Sequence, residues 1–199
     1  MNKTSRIEGL LARLAAHQGA ARLSTLCSTR TERRLVARAA ADGLITLHPN
    51  HVAALKGADP RFILCRRIGC VITCAHAMKH YGLPLQSAPT TLHIAIPGNR
   101  GHIPDAIGRV VTHRLGDLIL PAADAAPVAS VEQALICYLR CADELDALIA
   151  LDAALRLGLT TRSQLENLLR GPRNHRSRTL VSRSLPMPAL SWRRSLVMS

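Results

Sequence analysis

The 199-residue sequence predicts an α+β chain. Three short helices and a β-hairpin come first, over residues 1–56. A small α+β domain follows over residues 57–170, and then a basic tail, residues 171–199, without regular structure. Three observations lead there. Apolar residues recur at helical spacing over residues 7–41 and then give way to two short β-type runs. Residues 91–97 alternate apolar and polar, and several helical patterns come after them. The charge is also uneven: nine basic and three acidic side chains in residues 1–56, eleven and ten in 57–170, six and none in 171–199.

The first helix is predicted from about Ser5 to His17, because Ile7, Leu10, Leu11 and Leu14 share one face and Gly19 stops it. Ser24 to Ser28 is long enough for one or two turns. Thr29-Arg30-Thr31-Glu32 reads as a capping box, in which the Thr29 hydroxyl and the Glu32 carboxylate satisfy each other's free backbone N–H groups. It opens a third helix that runs to Ala41 and closes at Asp42-Gly43. On a wheel of ~100° per residue, Leu35, Val36 and Ala39 fall on one side. Arg30, Arg34 and Arg38 fall on the other, with Ala37 and Ala41 between them. Residues 44–47 make a strand, His48-Pro49-Asn50 a turn, and 52–55 the return strand. Three helices followed by a hairpin is the order of a winged helix-turn-helix, here with no glycine in the turn between the second and third helices.

In the middle segment, 91–97 and 109–115 are strands, with Gly98, Gly101 and Gly108 marking turns. Ser130 caps a helix through Cys141, 143–157 form another, and Thr161 with Gln164 caps a third. The domain's expected job is interaction or dimerisation, because a palindromic operator is matched by a two-fold symmetric reader.

Composition narrows the partners. There are 26 Lys+Arg against 13 Asp+Glu, a formal charge of +13, which calls for an anionic partner. Aromatics are only 2%, namely Phe62, Tyr81, Tyr138 and Trp192. Four scattered rings cannot line a base-stacking platform, so double-stranded DNA is expected ahead of single strands. The sequence shows no export signal and no run of ~18 apolar residues, so a cytoplasmic chain with reduced thiols and no membrane is expected.

From Arg6 to about Arg170 the residues resemble a family. The motifs are Ala41-Asp42-Gly43-Leu44, then Gly69-Cys70-Val71-Ile72-Thr73-Cys74-Ala75-His76-Ala77 running to His80-Tyr81-Gly82-Leu83. The strand Thr91 to Pro97 follows, then Val110-Val111-Thr112-His113-Arg114, and last Ala147 to Leu155 leading into Gly158-Leu159-Thr160-Thr161 and Leu165. In that order they resemble the AbiEi-type antitoxins of bacteria, the type IV toxin–antitoxin class, in their actinobacterial form. The resemblance implies a DNA-binding transcriptional repressor that regulates its own toxin–antitoxin or phage-defence operon, beside a cognate nucleotidyltransferase-like toxin. It makes Arg30, Arg33, Arg34 and Arg38 the recognition-helix set, and the turn with His48, Asn50 and His51 the wing. Many related proteins continue into a Vsr-like nuclease domain, which needs clustered carboxylates for metal-assisted cleavage. The last acidic residue here is Glu166, so the tail reads as a basic extension or a remnant of such a domain.

Other chemistry is set aside. Cys70, Cys74, His76 and His80 have the residue types of a zinc site, but on one helix over Cys70–Tyr81 the cysteines and histidines point to opposite sides. Cys137 and Cys141 could join Cys70 and Cys74 only across two facing helices. His113, Arg114 and Asp117 have no nucleophile beside them. Pro97-Gly98-Asn99-Arg100-Gly101 lacks the Walker pattern. Asp143 and Glu144 suit a helix N-terminus, with Asp146 close behind. No enzyme activity, cofactor or metal is expected.

Arg34 and Arg38 are expected in the major groove, Arg30 and Arg33 on phosphates, and the hairpin along the backbone. Two other classes stay open: the DNA-targeting half of a truncated nuclease fusion, and an adaptor whose middle domain binds a toxin or phage protein.

Overall fold

The computed structural model describes residues 3–100, 110–170 and 174–184. They form a mixed α+β chain with two three-stranded sheets. The chain divides into two compact units, Met1–Thr73 with Thr90–Ser130, and Cys74–Pro89 with Val131–Ser199.

The first unit begins with α1 (Lys3–Ala16), β1 (Ala20–Arg22), α2 (Leu23–Leu26), α3 (Arg30–Ala41), β2 (Ile45–His48) and β3 (Val52–Leu55). α1 buries Leu10 and Leu14, one turn apart, and the Gly19 N–H closes it on the Leu14 carbonyl at 2.8 Å. The capping box at Thr29 and Glu32 is present. α3 ends in a Schellman motif: the Gly43 N–H meets the Ala40 carbonyl and the Leu44 N–H meets the Ala39 carbonyl, both at 3.0 Å. That geometry puts Gly43 at φ +71°, where a glycine meets no steric resistance. The turn from α2 to α3 needs no glycine, because Cys27 and Thr29 are both extended.

β3 is the middle strand of the first sheet, antiparallel to β1 on one side and β2 on the other. Register pairs Ala20 with Ala54 and Ile45 with Leu55. Leu10, Leu14, Leu26, Cys27, Val36, Ala39, Ile45 and Ala53 form the core beneath it, without a single aromatic ring. Leu35 packs at its edge.

α4 (Pro60–Ile68) packs on β1 and β3. Asp59 caps its start, and Gly69 at φ +62° ends it. β4 (Val71–Ile72) then pairs antiparallel with β5 (Leu92–Pro97), and β5 pairs in parallel with β6 (Val110–Leu115). A parallel pair needs a return crossing between its strands; residues 101–109, with the expected turns at Gly101 and Gly108, lie outside the described residues. The expected single helix over Cys70–Tyr81 is corrected here. Gly69 breaks the helical run, and Val71 and Ile72 are β-branched residues bonded to β5, so the following helix begins only at Cys74. The compact units also cut across the charge segments, since α4, β5 and β6 group with the N-terminal elements.

The second unit holds α5 (Cys74–His80), α6 (Val131–Cys141), α7 (Glu144–Arg156), α8 (Arg162–Leu168) and α9 (His175–Arg183). Asp143 caps α7 by accepting the Asp146 N–H, and the capping box at Thr161 and Gln164 is present. The buried Asp146 carboxylate accepts from the Tyr138 hydroxyl at 2.5 Å and from the Gln86 N–H at 3.1 Å. Burial, with that carboxylate beside it, pushes the Tyr138 hydroxyl well above its usual range.

α9 corrects the expectation of a tail without regular structure. Ser177, Leu180, Val181 and Ser184 recur on one helical face and are all buried. Arg176 donates to the Ala142 carbonyl at 2.5 Å, Arg162 to the Ser184 carbonyl at 2.6 Å, and Arg183 pairs with Glu144. The basic residues therefore hold this helix to α6, α7 and α8. Residues 171–173 and 185–199, where the rest of the expected tail falls, lie outside the described residues.

Candidate nucleic-acid interface

On α3 the buried positions are Val36 and Ala39, with Leu35 and Ala40 half-buried. At ~100° per residue the exposed arc opposite them is centred on Arg30, Ala37, Ala41 and Arg34, with Arg33 and Arg38 at its two rims. All six are exposed. The rims face different surroundings. Arg38, with Arg34, borders a groove against α1 that Arg6, Gly9 and Arg13 line on the other side. Its Nε is bonded to Asp42 at 3.0 Å, so an acidic neighbour already answers part of its charge. Arg33 instead shares a concavity of about 380 Å³ with Arg22, Ser24, Asn50 and His51.

The hairpin turn is short and locked. Asn50 and His51 both take left-handed backbone, φ +61° and +56°. Asparagine and histidine take this conformation more often than other side chains do, yet for both it costs more than for glycine. The His51 carbonyl accepts the Leu23 N–H at 2.8 Å, and the Asn50 amide donates to the Arg67 carbonyl at 3.1 Å. That bond commits the Asn50 amide nitrogen, whereas the His51 side chain is exposed beside Arg33. His48 ends β2 and is half-buried, one strand position before the turn. Of the three turn residues expected to touch DNA, His51 is therefore presented best. His51→Gly is expected to stabilise the fold by about 0.5–1 kcal/mol, because it relieves the left-handed strain at some cost in chain entropy. The same change should weaken duplex binding. Thermal melts and gel shifts on one preparation check both.

Glu32 fixes the front of α3. Its carboxylate accepts the Ser28 N–H at 2.9 Å, the Thr29 N–H at 3.1 Å, the Ser28 hydroxyl at 3.0 Å and Arg13 Nη1 at 3.0 Å. The Ser28 N–H and then Arg13 lead in drawing its pKa down to about 2 from an ordinary 4.5. A carboxyl lowered on folding stabilises the native state above its unfolded pKa, and that contribution fades as pH falls. Acid titration of the wild type should lose this part of its stability between about pH 4.5 and pH 2. Glu32→Gln should be flatter across that window.

Cys70 is not on a helix with Cys74; its thiol lies 3.3 Å from Cys65. In the second unit Cys74 meets Cys141 at 3.3 Å. Five of the six thiols are buried and Cys141 is exposed. His76 is half-buried and His80 exposed. His113 Nε2 lies 3.2 Å from His93 Nδ1. Asp143, Glu144 and Asp146 are occupied by a cap, an ion pair and a buried hydrogen bond.

No protein-family model matches the chain, and no curated protein matches it in sequence. Among solved structures, it is similar to the crystal structure of the RV2827C protein from Mycobacterium tuberculosis, with a TM-score of 0.50. The two are 18% identical, over 87% of this chain and 75% of that one. The likeness is one of fold.

Sequence reasoning missed a cluster of arginines. Arg22, Arg66 and Arg100 come from β1, α4 and the turn after β5, yet they line one cavity of the first unit. They are 44 and 34 residues apart in sequence, so no local spacing could have announced them. The one available signal was an arginine excess without nearby carboxylates.

Proposed function

We propose that the N-terminal elements are a winged helix-turn-helix that binds double-stranded DNA as a transcriptional repressor. The observation that supports it is the exposed α3 face of Arg30, Arg34, Ala37 and Ala41, flanked by Arg33 and the turn that holds His51. Two alanines keep the centre of that face low, so a helix with such a face fits closely into a major groove. The order α1-β1-α2-α3-β2-β3, with β3 central in its sheet, is the arrangement expected of this module. Arg30 and Arg34 then read base edges, and Arg33, Arg38 and the turn hold phosphates. The resemblance to AbiEi-type antitoxins adds autoregulation of a toxin–antitoxin operon to this reading, with a nucleotidyltransferase-like toxin as a further partner and a dimer as the operator-binding form.

The test is a gel shift on the DNA upstream of the gene against unrelated duplex, across a salt series. Preference for the upstream DNA that persists as salt rises is the expected result. Equal affinity for both, falling steeply with salt, would mean that the charge is a nonspecific phosphate binder.

A further inference from the structure

We propose that the first unit carries a binding pocket for a small phosphomonoester, built from Arg22, Arg66 and Arg100 over the end of α4. The site is a cavity of about 370 Å³, at the lower end of the range for small-molecule pockets. It goes beyond DNA binding and does not depend on it.

The three arginines are positioned by backbone carbonyls. Arg22 donates through Nε to the Arg66 carbonyl at 2.7 Å, and Arg100 through Nη1 to the Gly69 carbonyl at 3.0 Å. Arg66 donates through Nη2 to the Ala125 carbonyl at 2.6 Å. The carbonyls at the C-terminus of α4 are the negative end of its dipole, which explains why Arg22 and Arg100 gather there. It does not explain why three gather. A guanidinium has five N–H donors, and these bonds use only a few of them. Among the described residues none of the three forms an ion pair with a carboxylate, and the buried Nε of Arg66 has no hydrogen-bond partner.

The approach of the first two is close. A Cβ added to Gly69 would lie 2.8 Å from Arg100 Nη1 and 3.2 Å from Arg22 Nη2. Glycine here leaves room for both guanidinium ends, and its left-handed φ favours glycine in its own right. Burial pulls the Arg66 pKa down, and the Arg22 charge adds to this, while Cys65 and Asp124 act the other way. Clustered cations of this kind repel one another, and a bound dianion converts that repulsion into attraction. Bidentate guanidinium geometry suits a phosphate's planar pairs of oxygens.

Away from the arginines much of the wall is apolar: Pro97, Leu120, Pro121 and Pro127 line it, with Thr25 the one hydroxyl, and Leu120 is 49% exposed. A ligand with a phosphate at one end and a compact apolar body at the other would cover Leu120 while it neutralises the arginines. That is the chemistry of a phosphomonoester and not of a bare inorganic ion.

Phenyl phosphate is the probe, titrated into the full chain by calorimetry, with phenol and inorganic phosphate alongside. Saturable binding of phenyl phosphate, with phosphate weaker and phenol silent, is expected. Arg100→Gln should weaken binding about tenfold. Because Arg100 also caps α4, a second measurement uses the wild type alone. Phenylglyoxal labelling read by peptide mass should show Arg22 and Arg100 protected by phenyl phosphate, with Arg34 labelled as before. No saturable binding, or equal protection at Arg34, overturns the proposal. So does protection of Arg22 and Arg100 by duplex DNA but not by phenyl phosphate, which would assign the cluster to the DNA backbone. Loss of DNA binding with the phenyl phosphate pattern intact would sink the repressor reading and leave the pocket standing.

Discussion

Replacing Arg30 and Arg34 together by alanine is expected to weaken binding to the preferred duplex by about 2–6 kcal/mol, from two base contacts worth roughly 1–3 kcal/mol each. Binding to unrelated duplex should fall far less. The pair is chosen by position: both lie near the middle of the exposed arc of α3, away from the Asp42 that holds Arg38. Arg33→Ala should act differently, lowering affinity for all duplexes about equally and reducing the salt slope by about one. Neither change touches the core, so the melting temperature should hold. Gel shifts on both duplexes with a melt of each variant check the set. An unchanged preference in the double variant would remove α3 as the reading helix.

Leu14→Ala should destabilise the first unit by about 2–5 kcal/mol. Leu14 is fully buried at the inner face of α1 and belongs to a core of leucine, valine, isoleucine, alanine and cysteine. No ring in that core can tilt into the space left behind, so the cavity stays and the cost falls toward the upper part of the range. Urea unfolding followed by circular dichroism measures it. Against a typical domain stability of about 5–15 kcal/mol, such a loss is large enough to reduce DNA binding by unfolding alone. It therefore separates failure to fold from failure to read, which the arginine variants must be compared with.

Much of this was legible from local pattern. The capping box at Thr29, the hairpin strands around 45–55, the strand from 92 and the caps at Asp143 and Thr161 all rest on neighbours within a few residues. Where the pattern misled, the deciding contact was distant. Val71 and Ile72 are a strand because β5, more than twenty residues on, bonds them. Ser177, Leu180 and Val181 are a helix face because three other helices cover them, although composition alone read as a polar tail. The convergence of Arg22, Arg66 and Arg100 is of the same kind. Side chains that meet only after folding leave no period in the sequence.

The division of the chain has a consequence for the order of events during synthesis. Residues 74–89 belong to the second unit but are made before Thr90–Ser130, which complete the first. The core of α1, α2, α3 and the hairpin can close as soon as residue 55 leaves the ribosome. α5 must wait for α6, some 50–60 residues later, roughly 3–12 s at ordinary elongation rates. During that interval its apolar Ala77 and Met78, both destined to be buried, face water. A nascent chain held at this stage therefore keeps that apolar surface in water until α6 emerges.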